Sequence, residues 1–180
     1  YLKMSLTTLD IKEPGLNTLP PGVERYVVEG GGLTGIQILP DDEIEIINNE
    51  GNQLCEISAF NKDGKSDLAI LGLKEIKENS EIKKILFKKD ETSLQALLQL
   101  KKRNLNIEKS KSSLIFDKET KAGEIIKLKS KDKCYCIFAA PGEKMMVHEQ
   151  NPSTELTVIV KRSVIKKDKE FSLIPDPIYD

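Results

Sequence analysis

The shortness of the apolar runs constrains this chain more than any other feature. Leu33 to Leu39, Leu54 to Phe60, Cys134 to Ala139 and Leu156 to Arg162 are each strand-sized. Gly, Pro, Asn and Asp punctuate them, residues that supply φ > 0, a fixed φ or a local side-chain turn. Glu43-Ile44-Glu45-Ile46-Ile47 alternates charged and apolar residues, the period of a half-buried strand. Asn48 to Asn52 is turn chemistry, so Leu54 to Phe60 is expected to return as the second strand of a hairpin. Arg25 to Glu29, Leu114 to Phe116, Glu124 to Lys129 and Lys144 to Glu149 complete the strands. Lys62 to Lys65 reads as a tight turn, and Leu68 to Leu71 as extended.

Only one segment has clear helical spacing. Leu94, Leu97 and Leu98 predict a helix over 93–103, capped by Thr92 or Ser93, with Lys101, Lys102 and Arg103 at the negative end of its dipole. A second short helix is expected within 74–86, starting near Ser80. Strands do not alternate with helices, which argues against a doubly wound parallel sheet. The expected fold class is α+β and predominantly β: an antiparallel sandwich or partly open barrel with one or two short helices. Residues 1–22 read as irregular, 23–165 as a single β-rich domain, and 166–180 as a C-terminal linker towards a missing downstream domain.

Charge and cysteine content narrow the function classes. Lys+Arg total 28 against 29 Asp+Glu, so the basic excess that nucleic acid requires is absent. The Lys-rich stretches at 83–89, 101–111 and 127–133 are interleaved with acids and lack an aromatic ladder. No run approaches the roughly 20 apolar residues of a membrane helix. Neither nucleic acid nor membrane is therefore an expected partner. Three Cys cannot form a complete disulfide framework, and the expected location is cytoplasmic. The chain opens at Tyr1 without a basic-then-apolar leader.

Few residues carry candidate chemistry. Gly30-Gly31-Gly32 lacks both phosphate-loop spacings and is expected to be a strand connection. Cys134 and Cys136 share one face of a strand. Cys55 and His148, both distant in sequence, would have to converge on that pair to make a Cys3His metal set. The competing reading, which the lack of a second short-spaced pair favours, is three small buried hydrophobes. In a regular strand Gln53 faces the side of Cys55 and Ile57, opposite Glu56. Glu56 is either a buried functional carboxylate or an outward polar residue of an alternating strand.

Residues 25–60 read RYVVEGGGLTGIQILPDDEIEIINNEGNQLCEISAF. They resemble the opening of the urea-carboxylase-associated domain family, whose pattern falls here on Gly51, Asn52, Gln53, Glu56, Ala59 and Phe60. Ala122-Gly123-Glu124 with CYCIFAAPGEKMMV, and Asn151 to Leu156, are similar to later segments of that family. The version most like this one stands at the N-terminus of glycine cleavage T-protein-like aminomethyltransferases, and Leu173 to Ile178 resembles the lead-in to their next segment. The resemblance implies a binding or docking accessory domain of a folate-linked, one-carbon transferase, itself non-catalytic. It implies tetrahydrofolate for the parent protein and no cofactor in this segment. The partners it implies are downstream domains of the same polypeptide and a small-molecule amine. Gln53 and Glu56 are the ligand-binding residues it carries over. The family Asp is replaced here by Glu56, and 61–121 holds no His or Cys, so a metal-assisted activity is expected to be lost. The alternatives are a stand-alone metal-dependent hydrolase or deiminase of a urea- or guanidine-type compound, using Cys55, Cys134, Cys136 and His148, and a protein-interaction module.

Overall fold

Nine strands and two helices follow from these patterns in a computed structural model that describes residues 20–74, 77–78, 80–88, 90–117, 119–142 and 153–164. The strands are β1 (Val23–Val28), β2 (Leu33–Ile38), β3 (Glu43–Asn48), β4 (Cys55–Phe60), β5 (Lys77–Glu78), β6 (Lys111–Phe116), β7 (Glu124–Lys129), β8 (Cys134–Ala139) and β9 (Leu156–Lys161). The helices are α1 (Ser80–Leu86) and α2 (Glu91–Lys102). One sheet runs β1-β9-β3-β7 and the other β2-β8-β4-β6-β5, and neighbouring strands pair antiparallel throughout. The fold is the expected α+β, predominantly β sandwich, and its sheets do not close into a barrel.

The alternation in β3 has a direct structural meaning. Ile44 and Ile46 point between the sheets, while Glu43 and Glu45 sit on the outer side opposite Lys129 and Lys127 of β7. Lys161 of β9 adds an ion pair to Glu45 at 2.8 Å. Such exposed cross-strand pairs contribute a few tenths of a kcal/mol each, about 0.2–1, and they fix register more than stability.

The second sheet is covered on both faces. Cys55, Ile57 and Ala59 of β4 and Cys134, Cys136 and Phe138 of β8 meet the first sheet. Phe60, Ile137 and Ala139 face the other way, onto Ile82, Ile85 and Leu86 of α1 and Ala96 and Leu100 of α2. Burial on two faces is why these strands read as apolar runs rather than as alternation.

Four expectations need correction. β3 and β4 are not a hairpin: β3 pairs with β7 and β9, β4 with β6 and β8, so residues 49–54 carry the chain from one sheet to the other. The left-handed residues Gly51 (φ 80°) and Asn52 (φ 58°) serve this corner as they would serve a hairpin turn. Leu68–Leu71 is a 3-10 turn that buries Leu68, Ile70 and Leu71, stopped by the left-handed Gly72. Asp90, not Thr92 or Ser93, caps α2, its carboxylate accepting from Ser93 N at 2.7 Å. β6 starts at Lys111, three residues before the expected Leu114.

The turn at 62–65 forms as expected. The expected strand at 144–149, most of the N-terminal segment 1–22 and the linker 166–180 lie outside the described residues. Among the described residues no helix is long and apolar enough to cross a membrane.

Candidate functional site

Of the two residues that the resemblance carries over, Glu56 lies in β4 and Gln53 two residues before that strand begins. Glu56 points towards the helix layer and is 3% exposed. Its carboxylate accepts from Ser112 Oγ at 2.8 Å, from Glu81 N at 3.2 Å and from Ile82 N at 3.4 Å. A strand residue thus satisfies amide groups in the first turn of α1 that have no partner within the helix. Burial pushes the Glu56 carboxyl above the usual carboxylate range, and these donors pull it back only in part. Of the two readings of Glu56, the buried one holds, and the residue's acceptor capacity goes to pinning α1 against the sheet.

Gln53 is 4% exposed and precedes the strand rather than forming part of it. Its Nε2 donates to the carbonyls of Leu54 and Pro141, both at 2.9 Å, and its Oε1 accepts from Thr154 N at 2.8 Å. Its own carbonyl accepts from Asn48 Nδ2 at 2.8 Å. Gln53 therefore braces the end of β3, the residues after β8 and the approach to β9 at one end of the sandwich. Two atoms beside it, Asn48 Oδ1 and Thr154 Oγ1, are buried and have no hydrogen-bond partner among the described residues.

The cysteines divide. Cys134 and Cys136 are fully buried, with sulfurs 3.6 Å apart. Ser130 Oγ stands 3.6 Å from Cys134. The hydrogen bond with Cys136 draws the Cys134 thiol below its ordinary value, while the same contact and burial push Cys136 up. Cys55 does not join them. Ala59 is opposite Cys136 in the β4–β8 register, so Cys55 lies four residues along the strand, about 13 Å at the ordinary rise. Burial raises the Cys55 thiol, further from the thiolate a metal would need. His148 lies outside the described residues. The four-residue metal set is thus corrected at Cys55, and no group of three or more His, Cys, Asp or Glu among the described residues could hold a metal ion.

One charged centre escaped the sequence reading. Arg162 donates to both oxygens of Glu24 (Nε to Oε2 at 3.0 Å, Nη2 to Oε1 at 2.6 Å), and its Nη1 reaches Asp42 Oδ2 at 2.6 Å. Tyr26 Oη donates to Glu24 as well. Burial works against the Arg162 charge, yet the two carboxylates hold it firmly protonated. The usable signal was arginine's rarity: three Arg among 28 basic residues mark places where a planar, forked donor is needed. Asn48 was also legible, because it continues the interior parity of Ile44 and Ile46.

No family model matches the chain. Among curated proteins it is 35% identical over 171 residues to the trimethylamine-oxide aldolase of Ruegeria pomeroyi (strain ATCC 700808 / DSM 15171 / DSS-3). The match takes in 94% of this chain and 21% of the relative, so the chain spans about a fifth of that protein's length.

This similarity corrects the functional expectation. The relative carries the name of an aldolase acting on trimethylamine oxide. That name is not the name of an aminomethyltransferase, and the accessory-domain reading with its transferase and urea-carboxylase vocabulary is set aside. The urea- or guanidine-directed hydrolase falls with it, having already lost the convergence of Cys55 on which its metal depended.

Proposed function

We propose that this chain serves the cleavage of a small tertiary amine oxide of the trimethylamine-oxide class, as a carbon–nitrogen lyase that releases an aldehyde. The observation that carries this reading is the 35% identity maintained across 94% of the chain. Identity over such a span reaches the buried elements of both sheets rather than one local motif.

The reaction needs no external oxidant or reductant. Trimethylamine oxide has only methyl carbons, so the aldehyde is formaldehyde and the other product is dimethylamine. The oxygen leaves nitrogen and ends on one former methyl carbon. That carbon is oxidised by two electrons as nitrogen is reduced by two. One methyl proton moves to the nitrogen, and the carbon–nitrogen bond then breaks.

The buried polar groups suit a neutral, zwitterionic substrate. Glu24 and Asp42 are engaged by Arg162, and Glu56 by α1 and Ser112. The polar groups around Gln53 carry no net charge. The test is incubation of the protein with trimethylamine N-oxide alone, with formaldehyde and dimethylamine both measured. Equal release of the two is expected. No release of either, under conditions in which the Ruegeria enzyme reacts, overturns the reading.

A further inference from the structure

Helix α2 turns two leucines away from the core that it helps to cover. Ser93, Ala96 and Leu100 face the sheet. Leu94 and Leu98, one helical turn apart on the other side, are each more than half exposed. Phe87, three residues before the Asp90 cap, is 42% exposed. A single exposed leucine needs no explanation, because much of any protein surface is apolar. A stripe of them on one helix face does.

This stripe has the spacing of a helix–helix seam. Glu91, Leu94, Leu98 and Lys101 follow one another at intervals of three, four and three residues, the spacing at which one helix lies along another. All four side chains are exposed. Their order also has a centre, at Ala96. Reversing the helix direction about that point exchanges Leu94 with Leu98 and Glu91 with Lys101. Two copies of α2 laid antiparallel across a two-fold axis therefore match at each of these positions. Leu94 meets Leu98 of the partner subunit, and Glu91 meets Lys101 of the partner subunit. The same arrangement sets the positive end of each helix dipole beside the negative end of the other. A parallel pair would oppose acid to acid and base to base. A different protein would require no such internal symmetry in its docking face, whereas an isologous contact requires it.

We infer that the outer face of α2 is a self-association surface, on which two copies of this chain meet as an antiparallel helix pair. Leu94 and Leu98 form its apolar centre, and Glu91–Lys101 pairs close its two ends. A single helix pair buries less than the ~1,200 Å² of a standard interface. The dimer is therefore weak, and the chain is monomeric in dilute solution.

Sedimentation velocity of the full chain from about 10 μM to about 1 mM, the range of a weak complex, tests this. The weight-average mass should rise from 20.2 kDa towards twice that value. Leu98→Lys should weaken association at least about tenfold, since it places a charge in the apolar centre. The position is exposed, so the variant keeps its fold, which circular dichroism checks. Glu91→Lys and Lys101→Glu should each abolish self-association by setting like charges opposite each other. An equimolar mixture of these two variants should recover it as a heterodimer, because every facing pair is then of opposite sign. A mass that stays constant up to about 1 mM overturns the inference and leaves the stripe to another segment of the polypeptide. Association that survives Leu98→Lys places the contact elsewhere and overturns it too. So does association that is indifferent to Glu91→Lys, or a mixture that fails to recover it, because the antiparallel register then does not hold.

Discussion

Single residues at two buried positions decide how this protein answers to pH and to charge deletion. Glu56 is held above the ordinary carboxylate range by burial. For an acid raised in the native state, the stabilising contribution is complete below the unfolded value, about 4.3 for glutamate. It is lost as pH rises through the native value, because the unfolded chain ionises freely and the native state resists. Wild type should therefore lose stability relative to Glu56→Gln as pH rises from about 4. Urea melts of both proteins at a series of pH values would measure this, and parallel pH profiles would refute it. Arg162 is the second position. Arg162→Ala leaves Glu24 and Asp42 buried without their cation, which should cost about 3–5 kcal/mol. Equilibrium denaturation would read that loss, and Arg162→Lys should recover only part of it, lacking the fork that holds both Glu24 oxygens.

Among the elements, α2 departs most instructively from its sequence pattern. Leu94 and Leu98, two of the residues that predict the helix, are 51% and 56% exposed, while Ser93, Ala96 and Leu100 face the sheet. Spacing identifies a helix but does not say which of its faces will be covered. Leu100→Ala should cost about 2–5 kcal/mol, whereas Leu98→Ala should stay within about 0.5 kcal/mol; paired thermal melts distinguish them. The loop after β4 is equally constrained. Gly64 has φ 80°, and a Cβ there would stand 1.8 Å from Asn104 O. Both its conformation and its neighbour exclude a side chain, so Gly64→Ala should destabilise by roughly 2–4 kcal/mol, visible as a lowered midpoint in the same melts. β7, at the edge of its sheet, leaves Ile125 47% exposed beside Lys127 and Lys129, and such lysines discourage pairing with another strand edge.

At the scale of the molecule, the second sheet lies between the first sheet and the helices, and this sandwiching controls the thiols. Cys55, Cys134 and Cys136 are all fully buried. Ellman's reagent should find almost no reactive thiol in the native chain and three in denaturant, the three released together with loss of tertiary structure. Early reaction of one thiol would show that the β4–β8 region opens independently.

The sequence by itself determined the strands whose periodicity is local. Glu124–Lys129 and Cys134–Ala139 form with the expected bounds. It also determined that Glu56 lies opposite Cys55 and Ile57 across β4, because side-chain alternation is a property of the backbone. Tertiary structure alone decided that β3 and β4 belong to different sheets, since Gly51 and Asn52 offer the same left-handed turn to a hairpin and to a corner. It alone decided that Glu56 would meet α1, that Arg162 would cross 120 residues of chain to reach Asp42, and that Cys55 would miss the other thiols. Those outcomes depend on pairings between segments far apart in the chain, and no local pattern of residues encodes which distant strand will supply the neighbour.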